Sequence, residues 1–247
     1  MTKILVIGET CIDKFIYCDV KRLSPEAPVP ILHPKHTIQN NGMSGNVVEN
    51  LKSLNSELDV THWCQTEEIT KTRYVEQKSN HIFLRIDEGE NNIKRVNIDL
   101  LNDVNFIKSF DFVIVSDYDK GFLSHNDLIF IGKNSKLSIL DTKKKINNEI
   151  ISSFTFIKLN EEEFINNKEF KNSDNIICTL GSKGARNKNT IYPVLNPKQT
   201  IDVSGAGDTF TTSFILKYYE TNDISESISF ANEKSSIVVS KRGVSTP

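Results

Sequence analysis

The 247-residue chain has no apolar run long enough to cross a bilayer, only four cysteines, and no surplus of either charge. A membrane helix needs about 18 or more consecutive apolar residues. The opening stretch Ile4-Leu5-Val6-Ile7 is also too short for a signal-peptide core, so a cytoplasmic protein is expected. Cys11, Cys18, Cys64 and Cys178 lie far apart and form no C-x-x-C pair, which speaks against a disulfide framework and a zinc ribbon. With 30 basic and 32 acidic residues the formal net charge is −2, leaving no broad basic footprint for nucleic acid or an anionic membrane. Small molecules and protein are the expected partners. No G-x-x-x-x-G-K-[ST] occurs and no G-x-G-x-x-G follows the first apolar run, which disfavours a Walker-type NTPase and a dehydrogenase. His33 and His36 flank Pro34-Lys35, and the proline disrupts the spacing that a helical zinc site needs.

What is present is the composition of an ordinary globular protein, 38% hydrophobic and 25% charged. Short aliphatic runs at Lys3–Gly8, Asp111–Ser116, Leu137–Asp141, Thr155–Leu159 and Asn175–Thr179 predict buried strands. Helices are predicted at Ser44–Leu54, Asp99–Phe110, His125–Lys133, Asn160–Asn167, Gly205–Tyr219 and Ser225–Ser240. Buried strands alternating with helices give an α/β class with a largely parallel central sheet. Two segments break the rhythm. Phe15–Val20 with Val29–Leu32, and Lys71–Gln77 with His81–Asp87, read as extended ribbons, the second because Ile82, Leu84 and Ile86 alternate with Phe83 and Arg85. They predict a small β lid, about 14–34 and 70–88, inserted in one domain spanning 1–247. Apolar residues on both ribbon faces predict a homodimer formed through that lid.

The most informative stretch is Thr200–Phe214, TIDVSGAGDTFTTSF. A Gly-Ala-Gly turn opens a long apolar helix, so backbone N–H groups converge where the helix dipole favours an anion. Asp208 stands beside them. A carboxylate there can take a proton from a hydroxyl while the amides stabilise charge on a transferred phosphoryl group. The plainer reading is an acid in the first turn of a glycine-capped helix.

The sequence resembles the PfkB, or ribokinase-like, family of carbohydrate kinases, and within it the heptose-phosphate kinases of lipopolysaccharide precursor synthesis. The likeness runs along nearly the whole chain. It is carried by GAGD, by Arg22–Pro30 (RLSPEAPVP), by Thr70–Arg73 with Leu84-Arg85-Ile86-Asp87, and by Ser116–Gly121 (SDYDKG). The resemblance implies a ribokinase-like fold and an ATP-dependent sugar or sugar-phosphate kinase that uses magnesium. It makes Asp208 the catalytic base and the Gly205, Ala206 and Gly207 amides the anion hole. Asn160 and Glu163 match the family's N-x-x-E, associated with magnesium and phosphate, with Glu163 the metal-side carboxylate; the same four residues also make a good helix start. Thr179, Gly181 and Gly184 match a nucleotide-binding turn, which alone reads equally as a hairpin, and Asn232 corresponds to a position near the adenine. Asp13, Gly42 and Asn46 fall on the sugar side, where carboxylates and amides suit a polyol. If the acceptor carries its own phosphate, as heptose 7-phosphate does, Lys71, Arg73 and Arg85 are the candidate clamp.

The chain also departs from the family pattern. Met43 follows Gly42 where a second glycine is usual, Glu9 replaces an Asp, Thr142 stands in a D-P-K position, and Thr212-Ser213 follow the GAGD helix start. The resemblance implies that a strand-and-helix segment present in typical members is missing between Leu58 and Thr70, and any nucleotidyltransferase activity is expected from another protein. These departures keep a rival open: a shortened homologue that binds sugar or nucleotide as a regulatory or scaffold protein.

Overall fold

The computed structural model describes residues 1–97, 103–170, 172–241 and 243–247. Its centre is an eight-stranded sheet of order β12-β11-β10-β9-β8-β7-β1-β4. The strands are β1 (Lys3–Gly8), β4 (Asp59–Trp63), β7 (Phe112–Asp117), β8 (Ser138–Thr142), β9 (Phe156–Asn160), β10 (Ile176–Thr179), β11 (Ala185–Asn187) and β12 (Thr190–Tyr192). From β4 to β10 every pairing is parallel, and β11 and β12 add an antiparallel edge.

The inner strands each carry consecutive apolar residues because both faces are covered, and most of their polar residues lie toward the C-terminal ends. Leu5 and Ile7 of β1 point into one core with Val113, Val115 and Leu140, while Ile4 and Val6 point into a second with Phe112, Ile114 and Ile139. The first core is closed by α2 (Val104–Lys108), α3 (His125–Asn134) and α4 (Asn148–Ser153) through Ile107, Leu128, Ile131 and Ile150. The second is closed by α1 (Ser44–Leu54), α6 (Ala206–Thr221) and α7 (Ile224–Val238) through Leu51, Phe210, Phe214 and Ile228. The short α5 (Glu161–Asn166) follows β9. No helix among the described residues is long and apolar enough to cross a membrane.

The lid is a separate four-stranded sheet of order β3-β2-β5-β6, from β2 (Thr10–Leu23), β3 (Pro30–Met43), β5 (Thr70–Glu76) and β6 (Ile82–Glu88). Two antiparallel hairpins are joined by parallel pairing of β2 with β5. β3 is far longer than the expected Val29–Leu32, because His33–Gln39 lies exposed and lacks the apolar alternation that marks a half-buried strand. Between β4 and the lid there are only residues 64–69, and β4 forms the sheet edge. The six-residue α4 and the three-residue β11 and β12 carry too few positions to show a period in sequence. Of the helix expected over Asp99–Phe110, residues 99–102 lie outside the described residues. The remainder is α2, capped by the Asp103 carboxylate accepting from the amides of Asn105 and Phe106.

Candidate active site

The GAG turn sits where α6 starts, at the C-terminal edge of the parallel sheet. Gly205 is the N-cap with φ 80, and a Cβ there would lie 2.8 Å from Asn46 Nδ2, so both the left-handed backbone and the close approach require glycine. The first-turn amides of Gly207 and Asp208 have no acceptor within the helix. The Ala206 amide, expected in the anion hole, instead donates to the Val203 carbonyl at 3.3 Å and closes the turn.

Asp208 is buried, with 7% of its surface exposed. Its Oδ2 accepts from Asn46 Nδ2 at 2.8 Å and its Oδ1 from the Tyr118 hydroxyl at 3.2 Å. Burial raises its pKa from 3.8 to about 6; the Asn46 hydrogen bond opposes this, the Asp141 charge adds to it, and the Lys158 charge and Tyr118 hydroxyl oppose it. A carboxylate poised there is a base ready near neutrality. Asn46, expected on the sugar side, donates to Asp208. Its amide is held by Asn50, whose Nδ2 donates to Asn46 O at 2.8 Å and Oδ1 at 3.1 Å, and Thr209 Oγ1 donates to Asn50 Oδ1 at 2.8 Å.

Asp208 and Gly207 share a cleft with Asp141, Lys143, Lys158 and Asn160. Lys158 went unnoticed in the sequence, although one lysine inside the buried run FIKLN is a signal. It is 4% exposed, its Nζ lies 2.8 Å from Asp141 Oδ2, and a Cβ on Gly207 would lie 3.3 Å from that Nζ. Burial disfavours its charge, but Asp141, Glu163 and Asp208 outweigh burial and raise its pKa. Asn160 and Glu163 form a capping box: Asn160 Oδ1 accepts from the Glu163 amide and Glu163 Oε2 from the Asn160 amide, each at 2.8 Å. The other Glu163 oxygen pairs with Lys143. The helix-start reading of N-x-x-E is therefore realised, at the rim of the cleft. Among the described residues no group of three or more His, Cys, Asp or Glu can gather on one metal.

Beyond Gly207 a second cavity is lined by Thr179, Gly181, Gly184, Phe210, Asn232 and Val239, bringing the expected nucleotide residues together. Asn232 Nδ2 donates to the Tyr192 carbonyl at 2.8 Å, fixing the strand end beside it.

On the lid side Asp13 is 5% exposed and bonded to Arg73. A Cβ on Gly42 would lie 2.1 Å from Asp13 Oδ2, so that glycine makes room for the carboxylate. Met43, at the family's second glycine, keeps the glycine-type backbone with φ 56 and ψ −132, while its side chain packs on Cys11 and Ile69. Burial pushes the Cys11 thiol up to about 12, so it stays protonated. Lys71, Arg73 and Arg85 do share a lid face, since Arg73 pairs with Arg85 and Lys71 with Asp87 across β5 and β6. Each has a carboxylate partner: Lys71 with Glu90 at 3.2 Å, Arg73 with Asp13, and Arg85 with Asp87 at 2.7 and 2.5 Å.

A sequence profile described as pfkB family carbohydrate kinase matches residues 46–247. Curated relatives include the Bifunctional protein HldE of Campylobacter fetus subsp. fetus, 30% identical over 98% of this chain and 64% of its own length. That of Helicobacter pylori is 29% identical, over 98% and 64%, and that of Aliarcobacter butzleri 26%, over 98% and 62%. The chain spans a little under two thirds of the length of these relatives. The matches run over 294–299 positions, so within the matched span the relatives carry residues that this 247-residue chain lacks. Among solved structures, ribokinase from Thermotoga maritima superposes with a TM-score of 0.74 at 18% identity, covering 99% of this chain and 95% of that one. Phosphofructokinase-2 from Escherichia coli, in complex with potassium, gives 0.73 at 15% identity, over 99% and 94%. At such identities the likeness is one of fold, which is ribokinase-like.

Proposed function

Because the chain belongs to the pfkB family of carbohydrate kinases, we propose that it transfers the γ-phosphoryl group of ATP to a hydroxyl of a sugar phosphate, with a heptose 7-phosphate as acceptor. The observation that carries this reading is Asp208: a carboxylate with a pKa near 6, buried in the first turn of a glycine-capped helix, between the nucleotide-side cavity and the lid.

The acceptor lies under the lid with Asp13 binding its hydroxyls. Asp208 takes the proton of the attacking hydroxyl as the hydroxyl oxygen bonds to the γ-phosphorus, while the bond from that phosphorus to the β,γ-bridging oxygen breaks and ADP leaves with the electron pair. The Gly207 and Asp208 amides and the Lys158 ammonium stabilise charge on the phosphoryl oxygens. Thr179, Gly181, Gly184 and Asn232 hold the nucleotide. Glu163, with Asn160, would hold magnesium through water, and the ion would neutralise phosphate charge. Lys71, Arg73 and Arg85 would meet the acceptor's own phosphate, exchanging carboxylate partners for it.

The lid also supports a homodimer. Ile16, Tyr74 and Leu84 are aligned across three strands on its outer face, and Leu84 and Ile82 are 51% and 49% exposed.

A panel of phosphorylated and neutral sugars assayed for ATP consumption tests the function. Turnover with heptose 7-phosphate above the neutral sugars is expected. Turnover confined to neutral sugars removes the phosphorylated acceptor, and sugar binding with no turnover on any acceptor supports the second reading, a regulatory homologue. That reading draws on β4 standing at the sheet edge and on the chain being shorter than the span it matches in its relatives.

A further inference from the structure

No step of the proposed transfer uses SDYDKG, the segment after β7, or the buried Glu9 that follows β1. Glu9 is fully buried. Its carboxylate accepts the amide of Tyr118 at 2.8 Å, of Lys120 at 2.9 Å and of Phe122 at 3.2 Å, so one side chain gathers three backbone donors of one loop. The gathered loop sets the Tyr118 ring between two lysines, with Lys71 Nζ 5.9 Å and Lys143 Nζ 5.8 Å from its centroid. The hydroxyl at the end of that ring reaches Asp208 Oδ1.

We propose that Tyr118 is a positioning residue for the Asp208 base, held in place by Glu9, and that its hydroxyl keeps the carboxylate oriented and ionised at neutral pH. This rests on the reading of Asp208 as base. With Asn46 on Oδ2 and Tyr118 on Oδ1, the carboxylate plane is fixed from both ends, and each donor favours the charged form against burial. Burial and the Asp208 and Asp141 charges hold the Tyr118 phenol well above its ordinary value, so it remains a donor throughout the working pH range. The other ionisable groups facing Asp208 are Asp141 on β8, Lys158 on β9, Cys11 on β2 and, across the same cleft, Lys143. A tyrosine-to-phenylalanine change leaves all four in place.

Tyr118→Phe keeps the ring and its lysine contacts and deletes only the hydroxyl. The acid limb of kcat/KM against pH is expected to move up by about one pH unit, the scale of one hydrogen bond to a charged group. Turnover loss should be largest below neutrality and shrink as pH rises. Glu9→Gln, which weakens the hold on the loop, should move the limb in the same direction. The carboxyl infrared band that disappears in Asp208→Asn, titrated without substrates, should shift equally in Tyr118→Phe; this readout needs neither turnover nor a known acceptor. An unmoved limb and an unmoved band in Tyr118→Phe overturn the proposal, and should that variant not fold, an unmoved band in Glu9→Gln does so. Full turnover in Asp208→Asn would instead unseat the base itself, a separate failure.

Discussion

Asp208→Asn should make the protein more stable while silencing it. The carboxyl titrates at 3.8 when unfolded and at about 6 when folded. Below 3.8 it is protonated in both states and costs nothing; between the two values the folded state holds the extra proton; above 6 the folded state carries a buried charge that the unfolded chain solvates. At about 1.4 kcal/mol per pH unit, the ionised group lowers stability by ~3 kcal/mol at pH 7 to 8. An asparagine removes that charge and keeps the shape. Its Oδ1 still accepts from Asn46, and the Tyr118 hydroxyl rotates to accept from its amide. The gain falls short of the full value because the Lys158 ammonium loses one of its carboxylate neighbours. A gain of about 1–3 kcal/mol is expected at pH 8, with Tm higher by about 2–4 °C for each kcal/mol in a chain of this size. Urea denaturation of both proteins from pH 4.5 to 8 should show the difference widening by about 2 kcal/mol as pH rises. A difference that is flat with pH, or one that favours the parent protein at pH 8, would refute the argument that a buried charge is being maintained at this position.

The same variant should lose at least ~10²-fold in turnover with nucleotide affinity largely kept, measured by steady-state kinetics and by calorimetric titration of ATP; near-normal turnover removes the base assignment. Arg85→Ala should weaken use of a phosphorylated acceptor by about 10- to 100-fold and spare its neutral analogue, because the cation exchanges Asp87 for phosphate; equal losses on both acceptors exclude the clamp. Arg73→Ala should lower both, since Asp13 loses its partner along with the clamp. Sedimentation should give a dimer at micromolar concentration that Leu84→Lys converts to a monomer; a monomeric parent protein, with and without ligands, rules out the lid interface.

The sheet was readable from sequence because its inner strands are buried on both faces, which leaves uninterrupted aliphatic runs such as Ile4–Ile7 and Phe112–Val115. The start and end of α1 were readable from the apolar spacing that places Val47, Val48 and Leu51 on the core. Asp208 and its glycines announced themselves by motif. Side chains that act through tertiary contact did not. Lys158 and Asp141 neutralise each other across neighbouring strands, and although a lysine inside FIKLN stands out, its carboxylate partner emerges only when β8 and β9 are paired. Asn46 has the chemistry of a sugar ligand, but the helix turn of α1 and the bond to Asn50 aim it at Asp208 instead. Glu163 was legible as either cap or metal ligand because the spacing for both is the same; only the bonds to Asn160 and Lys143 show the carboxylate's present use.

Asp208 on α6 is surrounded by groups from β2, α1, β8, β9 and the segment after β7, all of which precede it in the chain. During synthesis the lid and the sheet through β12 therefore leave the ribosome before the helix that carries Asp208. Until α6 and α7 dock, the part of the Ile4, Val6, Ile114 and Ile139 face that α1 leaves open is uncovered aliphatic surface. The carboxylate and the core are thus coupled: the docking that covers these aliphatic side chains is also what brings Asp208 to Asn46 and Tyr118.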